Sequence, residues 1–151
     1  MVHSAGIEFI EYHERYAADA VKMWRDSKEH ALGVKDIHSY EDHLNFVQNV
    51  LVRENTVQLA VSVENDWVVG LLATDGEYVN QLYSHNDFQR YGIGSRFLEF
   101  AKAQSSGTLR LYTFEVNKGA QAFYEKHGFR EVSRGSDNEE QLRDILYEWC
   151  V

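Results

Sequence analysis

The sequence predicts a single α/β domain over residues 1–151, built from about seven strands and four helices. Three observations lead to this class. The length of 151 residues, 44% of them apolar, is sufficient for one domain with its own core. The spacing of the apolar residues changes repeatedly between two, as in strands, and three to four, as in helices. Neither a repeat nor a linker interrupts the predicted order, which is strand, two helices, three strands, helix, strand, helix and two strands.

The first half of the chain predicts a strand, two helices and a hairpin. Residues 6–12 contain branched and aromatic side chains in alternation, as short strands do. Residues 13–33 and 39–52 place apolar side chains three and four positions apart, which indicates two amphipathic helices. Residues 57–63 and 67–73 return to a period of two on either side of an Asn-Asp turn, so we expect them to pair as a β-hairpin.

The second half predicts further strands separated by two shorter helices. The helices are expected at 92–104 and at 120–126, the latter ending at a His-Gly pair. A polar loop, 84–90, precedes the first of them, and an acidic loop, 135–140, carries little information. The strands are expected at 78–83, 108–116, 129–133 and 145–151.

Composition limits the partners and the compartment. Lys and Arg number 15 against 24 Asp and Glu, and the formal charge of −9 argues against a sequence-independent grip on nucleic acid. This charge suits cationic partners, although solubility alone also explains it. The single cysteine, Cys150, cannot form an intrachain disulfide and fits a reducing, cytoplasmic setting. We expect a soluble protein without a signal peptide or a membrane span, because no apolar stretch approaches about 18 residues.

A glycine-containing segment lies between a predicted strand and a predicted helix and reads Gln89-Arg90-Tyr91-Gly92-Ile93-Gly94. Glycines at this point allow backbone N–H groups to approach a phosphate at the positive end of the helix dipole, so the segment is a candidate anion cradle. A tight strand-to-helix turn is the plainer alternative. The segment is not a dinucleotide fingerprint, because Phe97 stands where that pattern has its third glycine.

A second segment follows the next strand and contains Asn117, then Phe123-Tyr124, then Gly128-Phe129. Together the two segments resemble the GNAT superfamily of N-acetyltransferases. The coenzyme loop of that family reads Gln/Arg-x-x-Gly-x-Gly/Ala, and its following strand ends in Asn, with a Phe/Leu-Tyr pair behind it. The resemblance is best over residues 81–132, and the first half of the chain matches only in element order. It implies a mixed, mostly antiparallel, twisted sheet with helices on both faces and central strands that splay apart.

The resemblance implies that acetyl-coenzyme A binds along these segments as the acetyl donor. Backbone groups at the end of the strand would pair with the pantetheine arm, and the glycine loop, with the guanidinium of Arg90, would bind the pyrophosphate. Asn117 and its neighbours on the following helix would contact the arm. The implied binding residues are Leu82, Tyr83, Ser84, Gln89, Arg90, Gly92, Ile93, Gly94, Ser95, Asn117 and Phe123.

Tyr124 is implied to be the residue that protonates the departing coenzyme thiolate. A phenol, with an ordinary pKa of about 10, is neutral at pH 7 and can donate this proton in a dry pocket. The alternative is a core tyrosine that packs beside Phe123 and Phe129.

The acceptor ammonium must lose a proton before its nitrogen attacks the thioester, so a general base is needed. Glu77, at the start of the coenzyme-binding strand, is the first candidate, followed by Tyr112 and by the pair His38 and His43. A solvated turn residue is the alternative for Glu77, and helix-surface positions are the alternative for the histidines. No metal is predicted, because His38 and His43 are five residues apart and do not share a helix face.

The predicted function is direct transfer of the acetyl group to a primary amine of a small, cationic molecule. Two alternatives remain open: acetylation of a protein N-terminus or lysine, and a non-catalytic coenzyme A-binding sensor module. The predicted partner is the small-molecule amine, without nucleic acid or membrane. A homodimer is considered as well, because the last strand, with Tyr147 and Trp149, could pair with a second subunit or could be an ordinary sheet edge.

Overall fold

The computed structural model describes residues 6–151, except for the side chain of Arg90. The seven strands of this part form two antiparallel sheets. The first sheet has the order β1-β2-β3-β4, with β1 Ile7–Glu11, β2 Thr56–Ser62, β3 Trp67–Thr74 and β4 Val79–Ser84. The second sheet has the order β5-β7-β6, with β5 Thr108–Phe114, β6 Arg130–Gly135 and β7 Asp144–Cys150. Each predicted strand corresponds to one of these strands.

The described residues contain four α-helices of seven residues or more, in agreement with the prediction. They are α1 Ala17–Leu32, α2 Tyr40–Phe46, α3 Ile93–Gln104 and α4 Lys118–Lys126. The second predicted helix runs on from α2 as a π-helical segment, Val47–Leu51, and a last turn, Val52–Glu54. The predicted polar loop 84–90 is partly regular, because Asn86–Tyr91 forms a 3-10 helix. None of the helices in residues 6–151 is long and apolar enough to cross a membrane.

Two apolar cores lie on opposite faces of the first sheet. On one face, Val21 of α1 packs with Leu59 and Leu71 of the two central strands. On the other face, Phe97 of α3 packs with Leu72. The strands β2 and β3 are therefore buried on both faces, and helices cover the sheet from both sides as predicted.

The two sheets meet at the start of β4 and β5 and separate towards the ends of these strands. Tyr78 and Arg110 form a parallel bridge at this junction, where the Arg110 N–H donates to the Glu77 carbonyl at 2.9 Å. The rings of Tyr78 and Tyr112 stack beside it at 6.4 Å. Beyond the bridge, the described residues of β4 and β5 do not pair. Their other edges pair with β3 and β7, so the facing edges of β4 and β5 stay unpaired and border a cleft. This agrees with the predicted splay.

The last strand is an interior strand. Tyr147 of β7 lies opposite Leu111 of β5 on one side and opposite Glu131 of β6 on the other. The expectation that this strand is a sheet edge or pairs with a second subunit is therefore wrong for Asp144–Glu148, where both backbone edges are already paired; Trp149 and Cys150 pair with β5 alone. Tyr147 is completely buried as a result, and its hydroxyl donates to Glu125 Oε2 at 2.7 Å.

Candidate active site

A cleft of about 440 Å³ opens where β4 and β5 splay apart. Its walls are residues 79–84 of β4 and 111–114 of β5. At one mouth lie Gly94 and residues of α4, which we call the glycine-loop side; at the other lie residues of the last two turns of α1, which we call the α1 side. The hydroxyl of Ser27 donates to the Ser84 carbonyl at 3.3 Å and so fixes α1 against the end of β4.

Leu82 and Ser84 turn their backbone groups towards the cleft. The His85 N–H donates to the carbonyl of Val69 in β3 at 2.8 Å. The backbone N–H and C=O of His85 therefore point towards β3. The backbone N–H and C=O of one strand residue point to the same side, and this side alternates along the strand. The N–H groups of both residues and the Leu82 carbonyl therefore point away from β3 and into the cleft, whereas the Ser84 carbonyl already accepts from Ser27. A pantetheine arm, which carries amide donors and acceptors along an extended chain, fits such a row of groups.

The predicted anion cradle is the start of α3. Gly92 precedes this helix with a φ of 73°, a left-handed conformation that favours glycine. Because Gly92 has no side chain to cap the helix, the N–H groups of the first turn remain available to a ligand. Gly94 lies directly against Phe123: a Cβ at Gly94 would come within 2.9 Å of Phe123 Cζ. Both glycines are therefore required by the geometry of the loop.

The other residues predicted for this loop have different positions. Gln89 lines the cleft, whereas Ile93 is completely buried in the core. The Ser95 hydroxyl lies 3.1 Å from His127 Nε2. The side chain of Arg90 lies outside the described residues, so the role of its guanidinium at the pyrophosphate stays a prediction.

Asn117 and Phe123 line the glycine-loop side of the cleft. Asn117 caps α4, because its Oδ1 accepts a hydrogen bond from the Ala120 N–H at 3.1 Å. This bond uses only the side-chain oxygen, so the amide nitrogen of Asn117 remains a potential donor to a ligand. The ring of Phe123 packs against Tyr124 at 5.3 Å and against His127 at 4.6 Å, which holds it in place above Gly94.

Tyr124 is both a packed residue and a cleft residue. It is 7% exposed, and the rings of Phe123, Phe129 and Tyr147 surround it at 5.3, 5.7 and 6.3 Å. Burial raises the pKa of its phenol well above the usual value of 10, so the phenol keeps its proton at neutral pH. Tyr124 also lines the cleft between β4 and β5. Its position is therefore compatible with both interpretations that the sequence left open, a proton donor at the coenzyme and a packed core tyrosine.

The side chain of Tyr83 forms the α1 side of the cleft. Its ring stacks on Trp24 of α1 at 5.6 Å with an angle of 28° between the planes. Burial, together with the negative charges of Glu140 and Asp36, raises the pKa of Tyr83 to about 12, although the hydrogen bond with Trp24 acts in the opposite direction. The phenol is therefore neutral at pH 7, and it lies close enough to both carboxylates to interact with them electrostatically.

Buried charges connect three segments on the α1 side. Lys28 Nζ lies 2.6 Å from Glu140 Oε2 of the β6–β7 loop and 3.9 Å from Asp36 Oδ2 of the α1–α2 loop. The side chains of Lys28, Glu140 and Asp36 are only 14%, 15% and 1% exposed. An exposed pair, His38 Nε2 and Glu139 Oε2 at 2.9 Å, lies next to them along the chain. The acidic loop that the sequence treated as uninformative is thus fastened across the α1 side of the cleft.

The first candidate for the general base does not lie in the cleft. Glu77 is exposed in the turn before β4, at the joined end of the two sheets. Ser84 lies seven residue steps further along the chain, about 23 Å at the usual rise of a strand. Tyr112 does line the cleft, although its side chain is 58% exposed.

The predicted pair of histidines also lies outside the cleft lining. His43 is 7% exposed and packs its edge on Trp24 at 4.2 Å, and burial lowers its pKa to about 4. The imidazole that lines the cleft is instead His30, in the last turn of α1. Its sequence signal is weak: the spacing of Ser27 and His30 puts both on one helix face. Residues 6–151 contain no group of three or more His, Cys, Asp or Glu that could hold a metal ion.

The two sheets splay over a cleft that backbone groups of β4 face, and a helix that starts at a glycine lies next to it. This is the arrangement of a coenzyme A-dependent acyltransferase. The family model described as acetyltransferase (GNAT) domain matches residues 48–131, more than half of the chain. The chain therefore belongs to the GNAT acetyltransferase family, and it is an acetyl-coenzyme A-dependent N-acetyltransferase. No curated protein sequence matches the chain.

Several solved structures share this fold. The apo form of YjaB from Escherichia coli is 21% identical with a TM-score of 0.75, over 95% of this chain and 97% of that one. A GNAT-family acetyltransferase from Staphylococcus aureus Mu50 is 20% identical with a TM-score of 0.75, over 95% and 98%. The PaiA N-acetyltransferase from Thermoplasma acidophilum, solved with coenzyme A, is 17% identical with a TM-score of 0.72, over 96% and 99%. These likenesses confirm the predicted GNAT fold.

Proposed function

We propose that this chain transfers the acetyl group of acetyl-coenzyme A directly to a primary amine of a small, cationic molecule. The observation that carries the proposal is one continuous cleft, which contains the open backbone groups of β4, the buried Tyr124 and the α1 side with its nearby carboxylates. Leu82 and Ser84 would bind the pantetheine arm, and the first turn of α3 would bind the pyrophosphate. Asn117 and Phe123 would contact the arm from the glycine-loop side.

Acetyl-coenzyme A supplies an acetyl thioester when it is bound. The N–H groups of Leu82 and Ser84 are the backbone donors that can stabilise negative charge on the thioester oxygen. Tyr124 holds a proton that it can donate to the sulfur when the C–S bond breaks and the new N–C bond forms. Because the phenol is buried, this proton stays in place at neutral pH until a thiolate, a stronger base than water, develops beside it.

We assign the removal of the acceptor proton to His30. Of the described residues that line the cleft, His30 is the one with an imidazole. It lies at the exposed end of α1, so a proton that it accepts can pass to solvent. Glu77 is disfavoured for this role, because it lies at the joined end of the sheets.

A small acceptor is favoured over a peptide by two side-chain contacts on the α1 side. Lys28 with Glu140, and His38 with Glu139, connect α1 and its following loop to the β6–β7 loop. An extended peptide would have to pass through this connection to reach Tyr83. A compact amine can enter beside it, and the nearby carboxylates of Asp36 and Glu140 suit a cation.

The test is thiol release from acetyl-coenzyme A against polyamines, aminoglycosides, amino acids and short peptides. We expect release with small cationic amines, and Tyr124→Phe should lower kcat by about 100-fold while the Kd for acetyl-coenzyme A changes little. Tyr147→Phe is the matched control, because it removes a hydroxyl that bonds to Glu125 outside the cleft lining. An unchanged kcat for Tyr124→Phe would remove this residue from the mechanism, and release with peptides alone would contradict a small acceptor.

His30→Gln tests the proton acceptor in the same assay. We expect a lower kcat and an altered pH profile of kcat, whereas binding of acetyl-coenzyme A should persist. His13→Gln is the control, since His13 is exposed and caps the short helix before α1. Identical pH profiles for His30→Gln and the unaltered protein would exclude His30 as the base.

Compartment and assembly also stay proposals. The exposed free thiol of Cys150 supports a reducing, cytoplasmic location. A homodimer remains a hypothesis, and it would need a surface other than the backbone edges of Asp144–Glu148 in β7, because both of these are paired. Sedimentation at several protein concentrations tests the assembly.

A further inference from the structure

Tyr83 forms an aromatic wall of the cleft on its α1 side. The side chain is half-buried and lines the cleft between β4 and β5. The preceding residue, Leu82, packs against the core on the α3 face of the first sheet, whereas Tyr83 packs against the core on the α1 face. Tyr124, which also lines the cleft, belongs to the core on the α3 face. Tyr83 and Tyr124 therefore approach the cleft from opposite faces of this sheet.

The ring of Tyr83 is fixed against α1. It stacks on Trp24 at 5.6 Å, and Trp24 is only 4% exposed. Trp24 in turn contacts the rings of His43 and Phe46, which lie edge-on to it at 4.2 and 6.4 Å. Close-packed interiors yield little when extra methylene groups press on them. The Tyr83 ring is therefore a firm boundary of the cleft.

The acyl group of the coenzyme should end at this boundary. In the proposed function, the pantetheine arm enters from the glycine-loop side and its sulfur stops beside Tyr124. Burial and, in addition, the charge of Tyr83 raise the pKa of Tyr124, so the two phenols are close to each other. The carbonyl and methyl carbons that follow the sulfur would therefore lie between Tyr124 and the Tyr83 ring.

The surroundings of Tyr83 also disfavour a longer apolar chain. Lys28 lines the cleft on the same side, and its Nζ lies 2.6 Å from Glu140 Oε2. An alkyl chain that passed the edge of the Tyr83 ring would displace water from these charged groups without forming hydrogen bonds in return, which is unfavourable. Carbon atoms beyond an acetyl methyl group thus meet either a fixed aromatic ring or charged side chains.

We propose that Tyr83, supported by Trp24, restricts the acyl donor to acetyl-coenzyme A and excludes longer acyl groups. This inference rests on the proposed function and concerns its donor, because it requires the thioester to lie between Tyr124 and Tyr83. The alternative is a Tyr83 ring that shapes only the acceptor side, in which case the acyl chain length would not depend on it.

The experiment compares kcat/KM for acetyl-, propionyl- and butyryl-coenzyme A with one acceptor, the amine that gives the most thiol release among those tested above. In the unaltered enzyme, each added methylene group should lower kcat/KM by about tenfold or more, as expected in a closed pocket. Tyr83→Leu should reduce the acetyl-to-butyryl ratio at least about tenfold, because leucine is shorter than the ring, whereas Tyr83→Phe should retain the ratio. Equal values for the three donors in the unaltered enzyme, or an unchanged ratio in Tyr83→Leu, would overturn the proposal.

Tyr112→Leu is the matched control, because Tyr112 also lines the cleft but stacks on Tyr78 where the two sheets are joined. Its acetyl-to-butyryl ratio should equal that of the unaltered enzyme, and an equal loss of the ratio in Tyr112→Leu and Tyr83→Leu would contradict a specific role for Tyr83. Trp24→Phe provides a second variant if Tyr83→Leu does not fold. Trp24 does not itself line the cleft, so a lower ratio in Trp24→Phe would show that it acts by supporting Tyr83, and an unchanged ratio would contradict this support.

Binding without an acceptor separates this inference from the proposed function. Calorimetry should give a Kd for butyryl-coenzyme A that is at least about tenfold higher than that for acetyl-coenzyme A, and Tyr83→Leu should bring the two values together. Thiol release at equal rates with all three donors would leave the proposed function intact and refute the acyl limit. Absence of thiol release with every amine would refute the proposed function, and equal Kd values for the two donors would then refute the acyl limit as well.

Discussion

Acidification from pH 7 to pH 5 should destabilise the protein through one buried histidine. His43 is 7% exposed, contacts Trp24 at 4.2 Å, and has a pKa of about 4 in the folded chain because burial disfavours its charged form. Its pKa in the unfolded chain is the ordinary 6.5. Between these two values the unfolded state binds a proton that the folded state does not accept, so stability falls as the pH falls. The contact with Asp36 is accordingly not an ion pair at neutral pH.

The size of the effect follows from the two pKa values. The gap from 6.5 to about 4 corresponds to about 3 kcal/mol in total, which is fully retained above pH 6.5 and fully lost only below pH 4. By the same relation, the free energy of unfolding is lowered by about 2 kcal/mol at pH 5 and by about 0 at pH 7. This is a large fraction of the free energy of unfolding of a typical domain, about 5–15 kcal/mol.

The assay is urea unfolding at pH 7 and at pH 5, followed by tryptophan fluorescence. His43→Gln should lose about 2 kcal/mol less than the unaltered protein over this interval, whatever its stability at pH 7. His127, whose pKa is also lowered by burial, contributes equally to both proteins and cancels in the comparison. His30→Gln, at an exposed position, should behave as the unaltered protein does. Equal losses in the His43→Gln and unaltered proteins would refute a buried, neutral His43.

Two further substitutions test the loop and the buried charges. Gly94→Ala should weaken coenzyme A binding by about tenfold, because its Cβ would meet Phe123 Cζ at 2.9 Å, whereas a Cβ at Gly119 has its nearest neighbour at 4.0 Å and Gly119→Ala should bind normally. Calorimetry measures both, and equal Kd values would contradict the close approach. Lys28→Met should lower the free energy of unfolding by about 3 kcal/mol, because it leaves two buried carboxylates without their cation. Lys22→Met removes only the exposed pair with Asp26 and should change stability by less than about 0.5 kcal/mol in the same urea unfolding assay.

The glycine loop shows why part of the site could be predicted. A glycine with left-handed φ before a helix, and a second glycine beside a large ring, are requirements of residues close together in the chain. The cap at Asn117 and the position of Tyr124 on the next helix follow the same local logic. The predicted strands and helices also depend on apolar spacing within a few residues, and the structure contains each of them.

The base candidates show where this logic stops. Glu77 is close in sequence to β4, the strand predicted to bind the coenzyme, but the sheets are joined at that end and open at the other. Which end of β4 separates from β5 depends on the packing of both sheets, not on residues near Glu77. His30, by contrast, lies on a different element and reaches the cleft only because Ser27 bonds to the end of β4.

The sequence by itself determined the types of the elements and the glycine turn before α3, because backbone sterics and apolar periodicity act over short stretches of chain. The residues assigned to the coenzyme stay a prediction. Only the tertiary structure decided what surrounds the α1 side of the cleft. Glu140 meets Lys28, 112 positions away in the chain, and the Asp36 carboxylate is buried beside Lys28 and His43, which belong to the two helices that flank its loop. Contacts of this kind depend on how elements pack against one another, and no local pattern encodes them.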